Sequence, residues 1–187
     1  LREAIDRSDF VLVTGGLGPT PDDITMAVAA EVAEKPLIFH QEILDQIQSF
    51  FSKSGREMPV SNRKQAMIPE GAIILPNANG TAPGAIIPIV SNNEDKAFIL
   101  LPGPPIENKG MFEIWVKPLL QKASKYALHN TIIRMIDIGE SALAEKIPDL
   151  LDDAQDNPSV APYASTGEVK LRVSYKHKKG ETIEPAH

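Results

Sequence analysis

Apolar residues follow two rhythms along the chain. Leu1, Ala4 and Ile5 have helical spacing, so the chain is expected to open within a helix. Phe10–Val13 is wholly apolar and predicts a short buried strand. Thr20–Val32 reads as a helix, with Thr20 as N-cap, Pro21 at the first helical position and Asp23 closing a Thr-x-x-Asp capping pattern. "QEILDQIQSFFSKSG" carries Ile43, Leu44, Ile47, Phe50 and Phe51 on a helical period and stops at Gly55. Asn62–Met67 reads as a short third helix. Three apolar strands come next, Ala72–Leu75, Ala85–Ile89 and Ala97–Leu101, with loops rich in Pro, Gly and Asn between them. "IENKGMFEIWVKPLLQKA" predicts another helix, in which Trp115 is expected in the core rather than against a ligand.

Near Lys125–Thr131 the pattern changes. "TIIRMIDIG" reads as a strand and "ESALAEKIPDLL" as a helix. In the stretch after Asn157, Val169, Leu171, Val173 and Tyr175 alternate as in a half-buried antiparallel strand. Residues 1–126 therefore read as an α/β domain with a mostly parallel sheet, and residues 127–187 as the opening of a small α+β domain. The helical opening and an end shortly after a strand together imply a fragment at both ends. A parallel unit needs a strand before its helix, so an upstream strand, or one donated by a partner chain, is expected.

Composition narrows the function classes. The chain has 187 residues and a formal net charge of −6, which argues against a general nucleic-acid binder. It has no cysteine, which excludes disulfides, zinc–thiolate sites and a cysteine nucleophile. No apolar run approaches the roughly 20 residues of a membrane span. The histidines His40, His129, His177 and His187 show no ligand spacing, and "KHKK" before Gly180 reads as an exposed hairpin end.

The candidate chemistry begins in "VLVTGGLGPTPDDIT" (Val11–Thr25). A strand, then Gly15, Gly16 and Gly18, then a helix start would aim backbone N–H groups at one anion. No Gly-Lys-Ser/Thr comes after it, so it is not a P-loop, nor is it a dinucleotide fingerprint. A tight structural turn explains the glycines equally well. Asp22 and Asp23 fit helix capping, or a divalent cation shared with phosphate oxygens. "PNANGTAPG" (Pro76–Gly84) and "LPGPP" (Leu101–Pro105) also come directly after apolar strands. In one parallel sheet all three loops would gather at its C-terminal edge. In "SNRKQAMIP", a solvated face is the default reading, and Lys64 neutralising a phosphate is the alternative.

These motifs together, "TGGLGPTPDDIT", "NRKQAMIPEGAIILPNANGTAPG" and "ILLPGPP", closely resemble the CinA family (competence/damage-inducible protein A) over most of Asp9–Phe112. The first motif is shared with the wider molybdopterin-binding MoaB/MogA class. "TIIRMIDIGES" through "GEVKLRVSYK" resembles the family's small middle domain. The resemblance implies a three-layer molybdopterin-binding-like domain. It implies a bacterial cytoplasmic enzyme that cleaves ADP-ribose to AMP and ribose 5-phosphate with a divalent metal, expected to be Mg²⁺. Its partner is a small-molecule nucleotide, with no nucleic acid or membrane, and a homo-oligomer is expected. The alternatives are adenylyl transfer to a pterin and a non-catalytic nucleotide- or pterin-binding module.

Carried over by residue, Gly15, Gly16, Gly18, Pro19 and Thr20 fall on the first ligand loop. Asn77, Gly80, Thr81, Pro83 and Gly84 fall on the second, and Pro102, Gly103 and Pro104 on the third. Asp23 falls on the acid shared with the MoaB/MogA class and Asp22 on one more typical of the CinA branch. Asp23 is the first choice for metal and catalysis. Two departures stand out: Asn108 replaces a usual Met after Glu107, and the family's first strand and early "GTELL"-type loop would lie before Leu1.

Overall fold

The computed structural model describes residues 1–91, 94–151 and 157–181. It divides into two compact units, Leu1–Leu119 and Leu120–His187.

In the first unit, α1 (Arg2–Asp6) leads into β1 (Phe10–Thr14), then α2 (Thr25–Val32), β2 (Leu37–Phe39) and α3 (Gln41–Lys53). A 3₁₀ segment, Val60–Ala66, precedes β3 (Met67–Pro69), β4 (Ile73–Leu75), β5 (Gly84–Ser91) and β6 (Glu94–Leu101). Next comes α4 (Pro105–Met111) and a π-helical turn (Phe112–Val116), and the unit ends within α5 (Lys117–Ala123). The main sheet is mixed, in the order β1-β6-β5-β4. β1 runs parallel to β6, while β5 is antiparallel to both β6 and β4. Hence β1, β4 and β6 all point one way. Their carboxyl ends, where the three glycine-bearing loops leave, lie at one edge of the sheet. A small two-stranded sheet pairs β2 with β3.

Burial explains the strand sequences. Phe98, Ile99, Leu100 and Leu101 of β6 are all almost inaccessible, as an inner strand covered on both faces requires. Ile87, Phe98 and Leu100 pack with Ile5, Leu17 and Ala29 on one face. Ile43, Leu44 and Ile47 of α3 pack with Ala66 and Ile68. Lys96 is buried, and its Nζ donates to the carbonyls of Ile5 at 2.9 Å and Asp6 at 3.4 Å. These are the end carbonyls of α1, where a cation is favoured.

Four local expectations change. The helix expected at Thr20 starts at Thr25, because Thr20–Asp23 closes a separate turn, with Asp23 N–H on Thr20 O at 3.1 Å. The Asn62–Met67 helix is the 3₁₀ segment Val60–Ala66. Its three-residue period stacks Asn62 on Gln65, and both are buried rather than part of a solvated face. Trp115 is 42% exposed, since the π turn rotates it outward and leaves Met111 and Val116 inside. β2 and β3 were not expected, because three residues are too few to show alternation.

In the second unit, β7 (Tyr126–Met135), α6 (Glu140–Lys146), a 3₁₀ turn (Pro148–Leu150), β8 (Ser159–Ser165) and β9 (Glu168–Lys178) form an antiparallel sheet, β7-β9-β8, with one helix. Leu143 of α6 packs on Val169 and Leu171, which accounts for the alternation in β9. Lys176, His177 and Lys178 belong to β9 rather than to a hairpin end. His129 and His177, far apart in sequence, face each other with Nε2 atoms 3.0 Å apart. His187 lies outside the described residues.

Candidate functional site

The first loop is built on positive-φ glycines, Gly15 (+90°) and Gly16 (+69°). Gly15 N–H donates to Leu101 O at 2.9 Å, which carries the β1–β6 pairing one step past the strand end. A side chain at Gly16 would strike that of Thr25, while Thr25 N–H donates to Gly16 O at 3.1 Å. A Cβ at Gly103 would lie 3.5 Å from Gly15 Cα, so the first and third loops touch through bare backbone. That distance is ordinary contact, so the demand for glycine here comes from the positive φ of Gly15 and not from crowding at Gly103.

The acidic turn comes next. Thr20 N–H donates to Asp23 Oδ2 at 2.9 Å. Thr20 Oγ1 stands 2.6 Å from both Asp22 Oδ1 and Asp23 Oδ2. One hydroxyl proton thus serves two carboxylates. The Thr20 hydroxyl holds both acids below the usual carboxylate range, and for Asp23 the Thr20 and Gly18 N–H groups add to this. Both are therefore charged at neutral pH.

The 3₁₀ segment stitches this loop from the side. Lys64 Nζ donates to the carbonyls of Thr20 and Asp23, the latter at 3.1 Å, which lodges its ammonium against the acidic turn. Gln65 Nε2 donates to Leu17 O at 3.1 Å, and Gln65 Oε1 accepts from Asn62 Nδ2 at 2.8 Å.

The second loop is organised by Asn77. Its Oδ1 accepts from Asn79 N–H at 3.0 Å, and its Nδ2 lies 2.9 Å from Ala82 O and 2.6 Å from Glu107 Oε2. The last contact ties the second loop to α4. Gly80 lies directly beneath the Glu107 carboxylate, leaving no room for a side chain. Asn108, the departure from the family pattern, donates through Nδ2 to Pro102 O at 3.0 Å and holds the third loop.

A cavity of about 380 Å³ opens between these loops. Of the residues singled out from sequence, Gly15, Gly16, Gly18, Pro19, Asp23, Thr81, Pro102, Gly103 and Pro104 line it. Lys64 and Pro83 line a small recess beside it, again with Gly16, Gly18 and Asp23. Asn77, Gly80, Thr81 and Pro83 line another cavity against α3. Asp22 and Thr20 stand outside, Asp22 fully exposed on the turn. Gly84 opens β5, where a side chain would strike Leu100 O and Met111, so its requirement is packing. Sequence reasoning left out Gln65 and Glu107 as site residues, yet both line the 380 Å³ cavity. The signal for Gln65 was its spacing of three from Asn62; that for Glu107 was its place in the first turn after "LPGPP".

The donor set defines what cation could be held. Among the described residues no group of three or more His, Asp or Glu converges as a metal cage. Asp22 and Asp23, ionised and aimed at one hydroxyl, suit an ion that needs one or two carboxylates and completes its shell with phosphate oxygens and water. The residues fit Mg²⁺ in that limited sense, with Asp23 the acid inside the cavity.

Comparison with known proteins gives the same division. Residues 1–122 match the family described as probable molybdopterin binding domain. Residues 130–186 match the one described as damage-inducible protein CinA KH domain. The chain belongs to the CinA family. A Caldicellulosiruptor saccharolyticus protein designated competence-damage inducible is 49% identical over 92% of this chain and 41% of its own length. A CinA-like protein of Dictyoglomus thermophilum is 46% identical over 98% of this chain and 44% of its own length. The chain thus spans less than half the length of these curated relatives. A crystal structure of CinA from Thermoplasma acidophilum, a protein described as of unknown function, superposes with a TM-score of 0.53 at 31% identity. It covers 63% of this chain and 66% of that one. In this CinA-family chain the cavity is formed by the loops that leave the carboxyl ends of β1, β4 and β6. Among the described residues, no helix is long and apolar enough to cross a membrane.

Proposed function

We propose that the three-loop cavity binds the pyrophosphate of ADP-ribose or a related dinucleotide and hydrolyses it to AMP and ribose 5-phosphate. The observation that supports this most directly is the joint lining of one 380 Å³ cavity by the glycine loop and Asp23. Gly15 N–H is committed to Leu101 O and Gly18 N–H to Asp23, so the backbone N–H groups of Gly16 and Leu17 would receive phosphoryl oxygens and stabilise charge that develops on them. Asp23, with Asp22 behind it on the same turn, would hold a divalent cation, for which Mg²⁺ is the natural candidate. Such a cation, when bound, neutralises phosphoryl oxygens and makes water a better nucleophile. Lys64 keeps a positive charge against the turn and fixes the carbonyl side of the acidic loop. Pro102, Gly103 and Pro104 give a rigid third wall that admits a ligand close to backbone.

This reading carries a cytoplasmic setting and a homo-oligomer with it, both taken over from the family resemblance. The test is turnover of ADP-ribose with and without Mg²⁺, with AMP and ribose 5-phosphate quantified as products. Stoichiometric release of both, dependent on the cation, is the expected result. Transfer of adenylate to a pterin acceptor would point to the MogA-like reaction instead. Tight nucleotide binding with no product would point to a binding module.

A further inference from the structure

A second cavity, of about 260 Å³, lies between α3 and the second loop. Thr81 lines both this cavity and the three-loop cavity, so the two adjoin across one residue. Ile43 and Ile47 form part of its lining and are anchored in the core of α3. Gln46, Ser49, Phe50 and Lys53 line it from the same helix, at spacings that place them along one stripe. Phe50 is 38% exposed, and its ring stands edge-on to that of Phe51 at 6.3 Å between centroids. Among the described residues, Gln46 and Ser49 make no hydrogen bond through their side chains. Asn77, by contrast, is fully committed to its own loop and to Glu107.

We propose that this cavity is the purine-base subsite of the nucleotide whose phosphates occupy the three-loop cavity, an inference that rests on the function proposed above. A phenyl face beside unspent amide and hydroxyl groups is what a planar nitrogen heterocycle requires. The ring stacks, and the amide can pair with a donor and acceptor edge such as adenine N6 and N7. The volume suits one ring system rather than a whole dinucleotide. The shared Thr81 lets the sugar cross from base to phosphate. The hydrophobic side of α3 is held in the core, so the stripe is presented rigidly.

The experiment is calorimetric titration of the full chain, in Mg²⁺, with AMP, ribose 5-phosphate and neopterin monophosphate. Wild type, Phe50→Ala, Phe50→Leu and Gln46→Ala are compared, with circular dichroism to verify the fold. Phe50→Leu keeps an apolar side chain on α3 while removing the stacking face. AMP is expected to bind at least about 10-fold more tightly than ribose 5-phosphate. Both Phe50 variants should cut AMP affinity by about 10-fold, within the usual range for a stacked base, and leave ribose 5-phosphate unchanged. Gln46→Ala should weaken AMP only. Equal affinities for AMP and ribose 5-phosphate, or a preference insensitive to Phe50, would overturn the subsite while leaving the phosphate site standing. Phe50-dependent binding of the pterin but not of AMP would overturn the purine assignment. If no phosphate compound binds, the proposed function fails and this inference with it.

Discussion

Gly18 and Asp23 are packed so closely that a methyl group on Gly18 would stand 2.5 Å from Asp23 Oδ2 and 3.0 Å from its Cγ. Asp23 cannot swing aside freely, because Thr20 holds the same oxygen through its N–H and its hydroxyl. Gly18→Ala is therefore expected to displace the carboxylate while changing global stability by only about 1 kcal/mol. Gly16→Ala should behave differently. Gly16 has φ +69° and faces the Thr25 side chain, so backbone strain alone costs about 1–2 kcal/mol. Urea unfolding of both variants, alongside Mg²⁺-dependent turnover, checks this. Gly18→Ala should lose activity at nearly full stability, and Gly16→Ala should lose both.

Asp23→Asn is expected to abolish hydrolysis and keep a cooperative fold. The amide oxygen can still accept from Thr20 N–H, so the turn survives, but it is a poor ligand for a hard cation. Asp22→Asn should cost less, because Asp22 lies exposed outside the cavity. Turnover rates and thermal melts of the two variants separate the roles. Equal losses of activity would show that both acids hold the cation, and normal activity in Asp23→Asn would remove Asp23 from the mechanism.

Much of this arrangement was legible in the residues, and the parts that were not have identifiable causes. The three loops could be placed at one sheet edge because each leaves an apolar strand, and β1, β4 and β6 do run the same way. That β5 runs against them was not readable, since fully apolar strands carry no sign of direction. The capping pattern at Thr20–Asp23 was real as chemistry: Asp23 does accept from Thr20 N–H. It closed an isolated turn instead of opening a helix, because a local hydrogen bond does not fix the backbone of the next residues. The burial of Asn62 and Gln65 escaped notice because polar residues default to the surface, and only tertiary partners such as Leu17 O reverse that. Glu107 escaped for the same reason, its partner Asn77 being thirty residues away.

The Asn77–Glu107 contact gives a third prediction. It is a charge-assisted hydrogen bond at 2.6 Å in a partly buried place, joining the second loop to α4. A double-mutant cycle with Asn77→Ala and Glu107→Ala should show coupling of about 1–2 kcal/mol in chemical denaturation. Glu107→Gln should be milder for stability, since the amide oxygen still accepts. If the two single losses simply add, the bond does not hold the loops together and Glu107 is free to act on a ligand.

The last prediction concerns acid. Glu168 of β9 accepts from Arg134 Nε at 2.8 Å and pairs with Lys170 Nζ at 3.0 Å. The Arg134 guanidinium first, and Lys170 second, pull its carboxyl from an ordinary 4.5 to about 2. A carboxylate whose pKa is depressed by folding stabilises the native state above its unfolded value. That contribution is fully present above about pH 5 and is lost progressively as pH falls from 4.5 towards 2. Its size is modest and salt-dependent, because the groups are open to solvent. Asp22, Asp23 and Glu42 are also depressed and add their own acid sensitivity, so wild type alone cannot isolate Glu168. The informative quantity is the difference in stability between wild type and Glu168→Gln, measured by thermal unfolding at low salt from about pH 7 to about pH 2.5. It should be positive and level down to about pH 5, shrink below that, and narrow throughout when salt is raised. A difference that stays level to the acid end of that range would mean that Glu168 is not held by its two cations in solution.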